Sequence, residues 1–280
     1  MPLSQPMPDS FAAKIAALNN FEPAASGFSP FIIAGEPLGW LGPETADLLQ
    51  AQGFIQPHDA GHALVPGFDT DATRRSEGLR LAAEAMQADG RMGGFRDEPY
   101  RVCAGWDQPD VAVLDRRAIP HFGIRSFGIH LNGVVETSTG LEMWIARRAL
   151  DREVEPGKRD NMVAGGQPAG LSLMDNLIKE AAEEASVPEA LARQAKQGGI
   201  ITYQQVEPLE RLKHDTIFTY DLFLSEDFVP ENTDGEVGQF ERLPIAEVAA
   251  IVRDTDEFKP NCNLVIIEFL ARHGLLEAAA

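Results

Sequence analysis

Three glutamates recur at helical spacing in residues 165–186, shortly after a pair of adjacent glycines. Glu180, Glu183 and Glu184 occupy positions i, i+3 and i+4 of a predicted helix and therefore share one face. Like charges at this spacing destabilise a helix by about 0.2–0.5 kcal/mol per pair. The segment is therefore either a solvated acidic face or a site for a divalent cation such as Mg²⁺, which prefers carboxylate oxygens as ligands.

The same segment carries the signals of a helix that follows a glycine loop. Ser172 and Asp175 match a capping box, which predicts a helix start near Leu173. Apolar residues then recur at helical spacing and are expected to form the buried stripe, namely Leu177, Ile178, Ala181 and Ala185. The glutamates would lie beside this stripe, close to Gly165 and Gly166. A backbone carbonyl of the loop would be a suitable additional oxygen ligand.

The composition excludes several classes of partner. The chain of 280 residues has a formal net charge of −19 at pH 7, and no run rich in lysine or arginine stands out. Binding to a nucleic acid or to an anionic membrane surface requires a basic patch, so we expect neither partner. An anionic small-molecule substrate would need a local group of cations or bridging metal ions.

Several features bear on the location of the protein. No stretch of about 18 apolar residues is present, which predicts no membrane span. The first 20 residues lack the charged and apolar regions of a secretory leader. Cys103 and Cys262 match no zinc spacing and suit a reducing compartment. We therefore expect a cytoplasmic protein.

The elements that must position the glutamates fall into two regions of different pattern. Residues 1–118 alternate short apolar runs with helical pattern, which predicts a small α+β domain. After that point, β-rich runs are separated by single helices, with a hairpin expected around the Ser-Thr-Gly turn at residues 138–140. Two closing helices are expected near the C-terminus. This order predicts a mixed sheet between helical layers.

The spacing from loop to helix resembles the Nudix box, a family pattern with an opening glycine, a glutamate, an Arg-Glu pair and a Glu-Glu pair. The positions that match the pattern are Gly165, Glu180, Ala181, Glu183, Glu184 and Val187. Three positions depart from it: Leu171 replaces the first glutamate, Lys179 the arginine and Ser186 the last glycine. In the family, that glutamate and that arginine form a supporting ion pair. The two replacements are therefore expected to be linked, because each removes one partner of the same ion pair. Neither replacement removes a metal-binding carboxylate.

The resemblance extends well beyond the box. The phrases PHFGIRSFGIHLNG, MWIARR, PGKRDNMVAGGQPAG and FVPENTDGEV are similar to a Nudix subgroup known from thiamine pyrophosphokinase-related proteins. Members of that subgroup carry an additional N-terminal domain. The resemblance implies an α+β protein with an N-terminal α+β domain over residues 1–118. A Nudix domain over residues 119–280, an α/β/α sandwich with a mixed sheet, would follow it.

The family implies hydrolysis of a diphosphate linked to another group, with Mg²⁺ or Mn²⁺ as the cofactor. Glu180, Glu183 and Glu184 would bind the metal, with the Gly165 carbonyl as a further ligand, and one glutamate would also serve as the base. Glu236, in a later loop, is the candidate for an additional catalytic carboxylate, with Glu241 as the second choice. An exposed turn carboxylate is an equally good interpretation of Glu236.

The phosphates of such a substrate require cationic ligands. Arg147 and Arg148 face opposite sides of a predicted strand, so only one of them is expected to face the substrate. We favour Arg148 and Lys158 as the substrate-binding cations. The alternative interpretation is that both are solvent-facing charges.

The subgroup implies thiamine diphosphate, or its oxidised and damaged analogues, as the substrate of a pyrophosphohydrolase that releases the monophosphate and phosphate. The candidates to contact the cationic thiazolium are Phe122, Phe127, Trp144 and Tyr203, and each of them is equally well explained as a core residue. Two alternatives stay open: a Nudix hydrolase of ADP-ribose, a nucleotide sugar or a dinucleotide, and an inactive Nudix-like ligand-binding protein. The expected partner is a small-molecule diphosphate, and a homodimer is compatible with these expectations.

Overall fold

The computed structural model describes residues 7–276, and the first part of the chain contains a small sheet. Its elements are α1 (Asp9–Ala17), α2 (Pro23–Ser26), β1 (Ser29–Ile33), β2 (Glu36–Leu41), α3 (Pro43–Ala51), β3 (Ile55–His58), β4 (Gly61–Leu64), α4 (Ala72–Ala88), β5 (Pro99–Val102) and β6 (Ala112–Asp115). Strands β2, β1, β4 and β3 form the sheet in that order, while β5 and β6 form a separate hairpin. One apolar cluster joins this sheet, α3, α4 and the hairpin. The α+β character predicted for this region is confirmed, and the boundary at residue 118 stays a prediction.

A seven-stranded sheet dominates the rest of the chain. After a 3₁₀ helix (Ile119–His121), its elements are β7 (Arg125–Thr137), β8 (Gly140–Arg148), β9 (Arg159–Asn161), β10 (Val163–Gly166), α5 (Leu173–Ala185), α6 (Glu189–Ala192), β11 (Lys196–Glu207), β12 (Arg211–Leu224), β13 (Val237–Pro244), α7 (Ile245–Asp254) and α8 (Pro260–Arg272). The strand order is β11-β12-β7-β8-β13. Strands β12 and β7 are parallel and the other pairs are antiparallel.

Helices cover both faces of this sheet. Phe127, Ile129 and Leu131 of β7 pack in one apolar cluster with α5, while a second cluster joins the opposite face to α7, α8 and α1. The predicted mixed sheet between helical layers is therefore confirmed. Helix α1 was not predicted from sequence; it packs on α8 through Phe11, which is fully buried. No helix among residues 7–276 is long and apolar enough to cross a membrane.

Strand β7 changes its partner along its length. Its residues 133–137 pair with β8, whereas residues 128–131 pair with β10. Strand β9 continues beside β8 instead of β7. Strand β10 therefore pairs with β7 along one edge, and the backbone amides of its other edge are available to side chains from other elements.

Both ends of α5 are fixed by side-chain hydrogen bonds. Ser172 Oγ accepts a hydrogen bond from Asp175 N at 3.1 Å, which confirms the predicted helix start at Leu173. At the other end, Ser186 has a left-handed φ of 52°, a conformation that glycine adopts most easily. Ser186 Oγ donates to Glu231 O at 2.7 Å. This hydrogen bond offsets part of the backbone strain and accommodates serine where the Nudix box has glycine.

A chain of buried polar side chains runs across the face of the sheet that α8 covers. Asn161 Oδ1 accepts from His130 Nδ1 at 2.7 Å, and Asn161 Nδ2 donates to Asn132 Oδ1 at 3.0 Å. Asn132 Nδ2 donates to Asp221 Oδ1 at 3.0 Å, and Asp221 pairs with Arg272 of α8. Burial lowers the pKa of His130 to about 4. The ring is therefore neutral near pH 7, with its proton on Nδ1.

We expect His130→Gln to flatten the acid dependence of stability. The folded-state pKa of about 4 lies below the unfolded-state value of about 6.5, so the unfolded chain takes up a proton first as the pH falls. The contribution of the neutral ring is complete above pH ~6.5 and is lost between about pH 6.5 and 4. The substitution should reduce the slope of the unfolding free energy against pH by up to about 1.4 kcal/mol per pH unit. Urea denaturation across this interval measures the slope.

The matched control is His58→Gln, because the His58 side chain is exposed. This control should keep the slope of the unmodified protein. An unchanged slope in His130→Gln would contradict a neutral, buried ring at this position.

Candidate active site

Glu180 and Glu184 reach strand β10 from helix α5. The Glu180 carboxyl group lies over Gly165, because a Cβ built on this glycine would lie 2.5 Å from Glu180 Cδ. Glu184 Oε2 accepts a hydrogen bond from Ala164 N at 2.9 Å. Two of the three predicted metal-binding carboxylates therefore converge on the predicted glycine strand. A side chain at position 165 would displace Glu180.

Among the described residues, the carboxylate of Glu184 is buried without a counter-ion. Its side chain is 6% exposed, and no lysine or arginine among residues 7–276 forms an ion pair with it. Burial raises the pKa of Glu184 well above its usual range; the Ala164 N–H opposes this shift, and the charges of Asp160, Glu180 and Glu236 add to it. Burial also raises the pKa of Glu180, against the effect of Lys179. A bound cation would offset the cost of both charges.

The third glutamate has a different environment. Glu183 is 44% exposed, and Lys179 Nζ lies 2.7 Å from its Oε2 and 3.1 Å from Glu180 Oε1. Lys179, at the arginine position of the Nudix box, thus holds two of the glutamates on the helix itself. Leu171, at the position of the first glutamate, contributes its carbonyl oxygen to a hydrogen bond from Gln167 Nε2 at 2.9 Å.

The loop before β13 docks on the C-terminal end of α5. Thr233 N and Oγ1 donate to Glu183 O at 3.0 and 2.8 Å, and Asn232 Nδ2 donates to Glu184 O at 3.3 Å. The loop leads directly into Glu236, whose carboxylate pairs with Arg152. The Glu236 carboxylate is also close enough to Glu184 to raise the pKa of Glu184. The loop geometry thus brings Glu236 near the helix carboxylates, and its catalytic role stays a prediction.

The two cations favoured from the sequence already have acidic partners. Arg148 Nη1 donates to Asp160 Oδ2 at 2.8 Å and Arg148 Nε to Val154 O at 3.1 Å, and its side chain is 12% exposed. Lys158 Nζ lies 2.9 Å from Glu155 Oε2. The role of both as phosphate ligands stays a prediction.

The hairpin of β5 and β6 brings an unpredicted pair of side chains to β10. A Cβ on Gly166 would lie 1.6 Å from Tyr100 Oη and 3.6 Å from Arg116 Cζ. Arg116 Nη1 donates to Glu98 Oε2 at 2.9 Å, and its guanidinium lies 5.9 Å from the centre of the Tyr100 ring. Nothing in the local sequence connects these residues to the glycines, because only tertiary packing of the hairpin brings them there.

Gly166 and its ladder partner Gly128 alternate with Gly165 and therefore lie on the face of β10 and β7 that points away from α5. An added Cβ on Gly128 would lie 3.1 Å from the Gly165 carbonyl oxygen, so glycine suits this close approach of the two strands. Asp215 and Tyr203 lie on the same face, in register with Ser126 of β7, two residues before Gly128. We call this face the glycine groove and define it by Tyr100, Arg116, Gly128, Gly166, Tyr203 and Asp215.

Asp215 forms the acidic wall of the glycine groove. Its two carboxylate oxygens accept hydrogen bonds from Ser126 Oγ and Tyr203 Oη, each at 2.5 Å. Within residues 7–276 no lysine or arginine forms an ion pair with it. Tyr203, a candidate wall residue from the sequence, is 3% exposed, is oriented by Asp215 and packs in an apolar cluster with α8. The other three candidates are also core residues: Phe127 and Trp144 lie in the apolar cluster on the α5 side, and Phe122 lies in that of the N-terminal region.

A second group of ligand-type side chains lies deeper in the sheet. Potential ligand atoms of His130, Asp160 and Cys262 all lie within 4.8 Å of one another, and the three residues are buried. Arg148 Nη1 and Cys262 Sγ already donate to Asp160 at 2.8 and 2.7 Å, and Lys259 Nζ lies 3.7 Å from it. A metal ion would have to compete with two cations here, so the group is better explained as an internal polar network.

Comparisons with known proteins support the resemblance to the Nudix family found in the sequence. Residues 10–126 match the family model described as Domain of unknown function (DUF4743). The chain is 36% identical over 275 residues to Nudix hydrolase 20, chloroplastic, of Arabidopsis thaliana, which covers 95% of this chain and 73% of that protein. It is 35% identical over 268 residues to Nudix hydrolase 24, chloroplastic, of the same plant, with the same two shares covered.

Among solved structures, DR0079 from Deinococcus radiodurans is similar with a TM-score of 0.46 and 17% sequence identity, covering 61% of this chain and 98% of that one.

The sequence similarity to the two plant proteins extends over both parts of the chain, including the box helix and the N-terminal region. The chain belongs to the Nudix hydrolase family, whose members are enzymes that act on phosphorus anhydrides.

Proposed function

We propose that the protein hydrolyses the diphosphate of thiamine diphosphate, or of its oxidised and damaged analogues, to the monophosphate and phosphate. Mg²⁺ or Mn²⁺ is the proposed cofactor. The observation that carries the hydrolytic part of the proposal is the buried, unpaired carboxylate of Glu184 beside Glu180 on the edge of β10. The thiamine part rests on the sequence phrases of the subgroup and on the charge of the glycine groove.

The residues at β10 fit a hard divalent cation. Glu180 and Glu184 supply carboxylate oxygens, the ligand type that Mg²⁺ prefers, and Glu184 has no cation to neutralise it within the described residues. Glu183 belongs to the same proposed ligand set. The carbonyl oxygen of Gly165, the fourth predicted ligand, lies 3.1 Å from a Cβ built on Gly128 and so points toward β7, with which Gly165 pairs. Lys179 holds Glu180 and Glu183 by ion pairs, so the acidic face of the helix is already ordered before a metal binds.

In the proposed reaction, the bound ion supplies charge neutralisation at the anhydride and lowers the pKa of a water molecule. The chain contributes a carboxylate that accepts the proton of the attacking water. Glu236 suits this role because its loop is anchored to the end of α5 and its own side chain is partly exposed. One of the helix glutamates is the alternative base.

The glycine groove supports an organic cation as the other half of the substrate. Asp215 is a partly buried carboxylate whose described partners are hydroxyl groups and not cations. Such a group is stabilised by a positively charged ligand. The neighbouring Tyr203 is fixed by its hydrogen bond to Asp215. A thiazolium cation meets the requirement for positive charge.

The location and assembly of the protein belong to the same proposal. The two plant relatives are named chloroplastic, whereas the sequence of this chain predicts a cytoplasmic protein. A homodimer likewise stays a prediction.

We expect Glu184→Gln to lower the rate of phosphate release with Mg²⁺ by at least about 10–100-fold, because groups that merely support a metal ligand already contribute this much. Glutamine keeps an acceptor for Ala164 N, so the fold should be retained. The assay uses thiamine diphosphate, its oxo- and oxy- analogues, ADP-ribose, a nucleotide sugar and a dinucleotide.

The matched control is Glu189→Gln, an exposed glutamate on α6 whose partner is Arg193; its rate should equal that of the unmodified protein. Turnover of ADP-ribose, the nucleotide sugar or the dinucleotide in place of the thiamine compounds would refute the thiamine assignment and keep the chemistry. No turnover of any compound, with ligand still bound, would favour the inactive ligand-binding protein.

We expect Asp215→Asn to raise the KM for thiamine diphosphate by about tenfold while changing the KM for ADP-ribose less than twofold. The reason is that removal of the charge weakens only a contact with a cationic ring, and such contacts contribute on this scale. Steady-state kinetics with the two substrates measure the difference. The control is Asp227→Asn, an exposed carboxylate in a turn. An equal rise with both substrates would show that Asp215 only supports the fold.

A further inference from the structure

The hairpin of β5 and β6 is docked on the glycine loop by backbone hydrogen bonds. Ala169 N donates to Pro99 O at 2.8 Å, which joins the loop after β10 to the start of β5. Arg116 N donates to Glu98 O at 2.9 Å and so extends the antiparallel pairing of the hairpin by one position. The side chains at this end of the hairpin are therefore fixed relative to β10.

Arg116 is oriented but not fully used by its protein partners. Nη1 donates to Glu98 Oε2 at 2.9 Å, and the side chain is 51% exposed. Its Nε and Nη2 have no hydrogen-bond acceptor among residues 7–276. Tyr100 Oη, which lies over the same glycine, also has no hydrogen-bond partner within these residues. Two donors that hold fixed positions and face the glycine groove are therefore available to a ligand.

The electrostatic environment keeps Arg116 charged. Burial alone would lower the pKa of Arg116, and the neighbouring Tyr100 phenol and the carboxylates of Glu98 and Glu236 reverse this effect and raise it. Three cations of residues 148–158 have their own acidic partners: Arg148 pairs with Asp160, Lys158 with Glu155 and Arg152 with Glu236. A planar guanidinium with free N–H groups is the side chain best suited to bind phosphate oxygens.

We propose that Arg116, with Tyr100 beside it, binds the diphosphate of the substrate from the face of β10 opposite the helix carboxylates. The N-terminal region thereby contributes the anion-binding side of the site. This inference rests on the proposed function, because it needs a diphosphate ligand. It also assigns a role to Gly166, since a side chain at this position would occupy the space of the Tyr100 hydroxyl group.

The test is binding of methylenediphosphonate, a diphosphate analogue that cannot be hydrolysed, measured by calorimetry with Mg²⁺ present. We expect Arg116→Gln to weaken binding by about 10–100-fold, the range for the loss of hydrogen bonds from a charged group. Arg116→Lys keeps the charge and loses the planar guanidinium, so its affinity should lie between those of the unmodified protein and Arg116→Gln. The matched control is Arg117→Gln, because Arg117 pairs with Glu153 and not with groove residues; its affinity should equal that of the unmodified protein.

Tyr100→Phe provides a second measurement that does not depend on how Arg116→Gln folds. It removes only the hydroxyl group over Gly166 and should weaken binding of the analogue by about fivefold, as expected for one hydrogen bond. Unchanged affinity in Arg116→Gln, Arg116→Lys and Tyr100→Phe, with tight binding by the unmodified protein, would overturn this inference and leave the proposed function intact. Failure of the unmodified protein to bind the analogue with Mg²⁺ would overturn both.

Discussion

The arrangement of the site depends on the hydrogen bond from Ala164 N to Glu184 Oε2. This bond is available because β7 exchanges β8 for β10 along its length, which leaves β10 with one free edge of backbone amides. The bond draws a carboxylate to 6% exposure, where its charge is costly without a cation. The absence of a side chain at Gly165 then lets Glu180 lie over the same strand. A strand edge thus fixes both carboxylates.

The departures from the Nudix box can be understood from local contacts. With leucine at position 171, no acidic partner is supplied from the loop, and Lys179 instead pairs within the helix with Glu180 and Glu183. Ser186 takes the left-handed conformation that the box assigns to glycine, and its hydroxyl group bonds Glu231 O. That bond ties α5 to the loop that carries Glu236. The support of the carboxylates has changed, while their positions on the helix have not.

The sequence predicts those parts of the site that local patterns determine. The start of α5 follows from Ser172 and Asp175, and the shared face of the glutamates follows from helical spacing. Arg116, Tyr100 and Asp215 could not be found in this way, because packing of the hairpin and the parallel pairing of β12 with β7 bring them to the glycines. Helix α1 was missed for a related reason. It is short, and it is stabilised by packing of Phe11 against α8 and not by the helical propensity of its own residues.

The two adjacent glycines of β10 are needed for different reasons, because successive residues of a strand face opposite sides of the sheet. Position 165 faces α5 and is occupied by the Glu180 carboxyl group, while position 166 faces the hairpin and is occupied by the Tyr100 hydroxyl group. A chain with a net charge of −19 repels a diphosphate in solution, so attraction must come from groups held close to the anhydride. A cation beside Glu184 and the guanidinium of Arg116 would supply it from the two faces of one strand. The proposed site needs both α5 and the N-terminal hairpin to pack on β10, which would couple the hydrolytic chemistry to the folding of both parts of the chain.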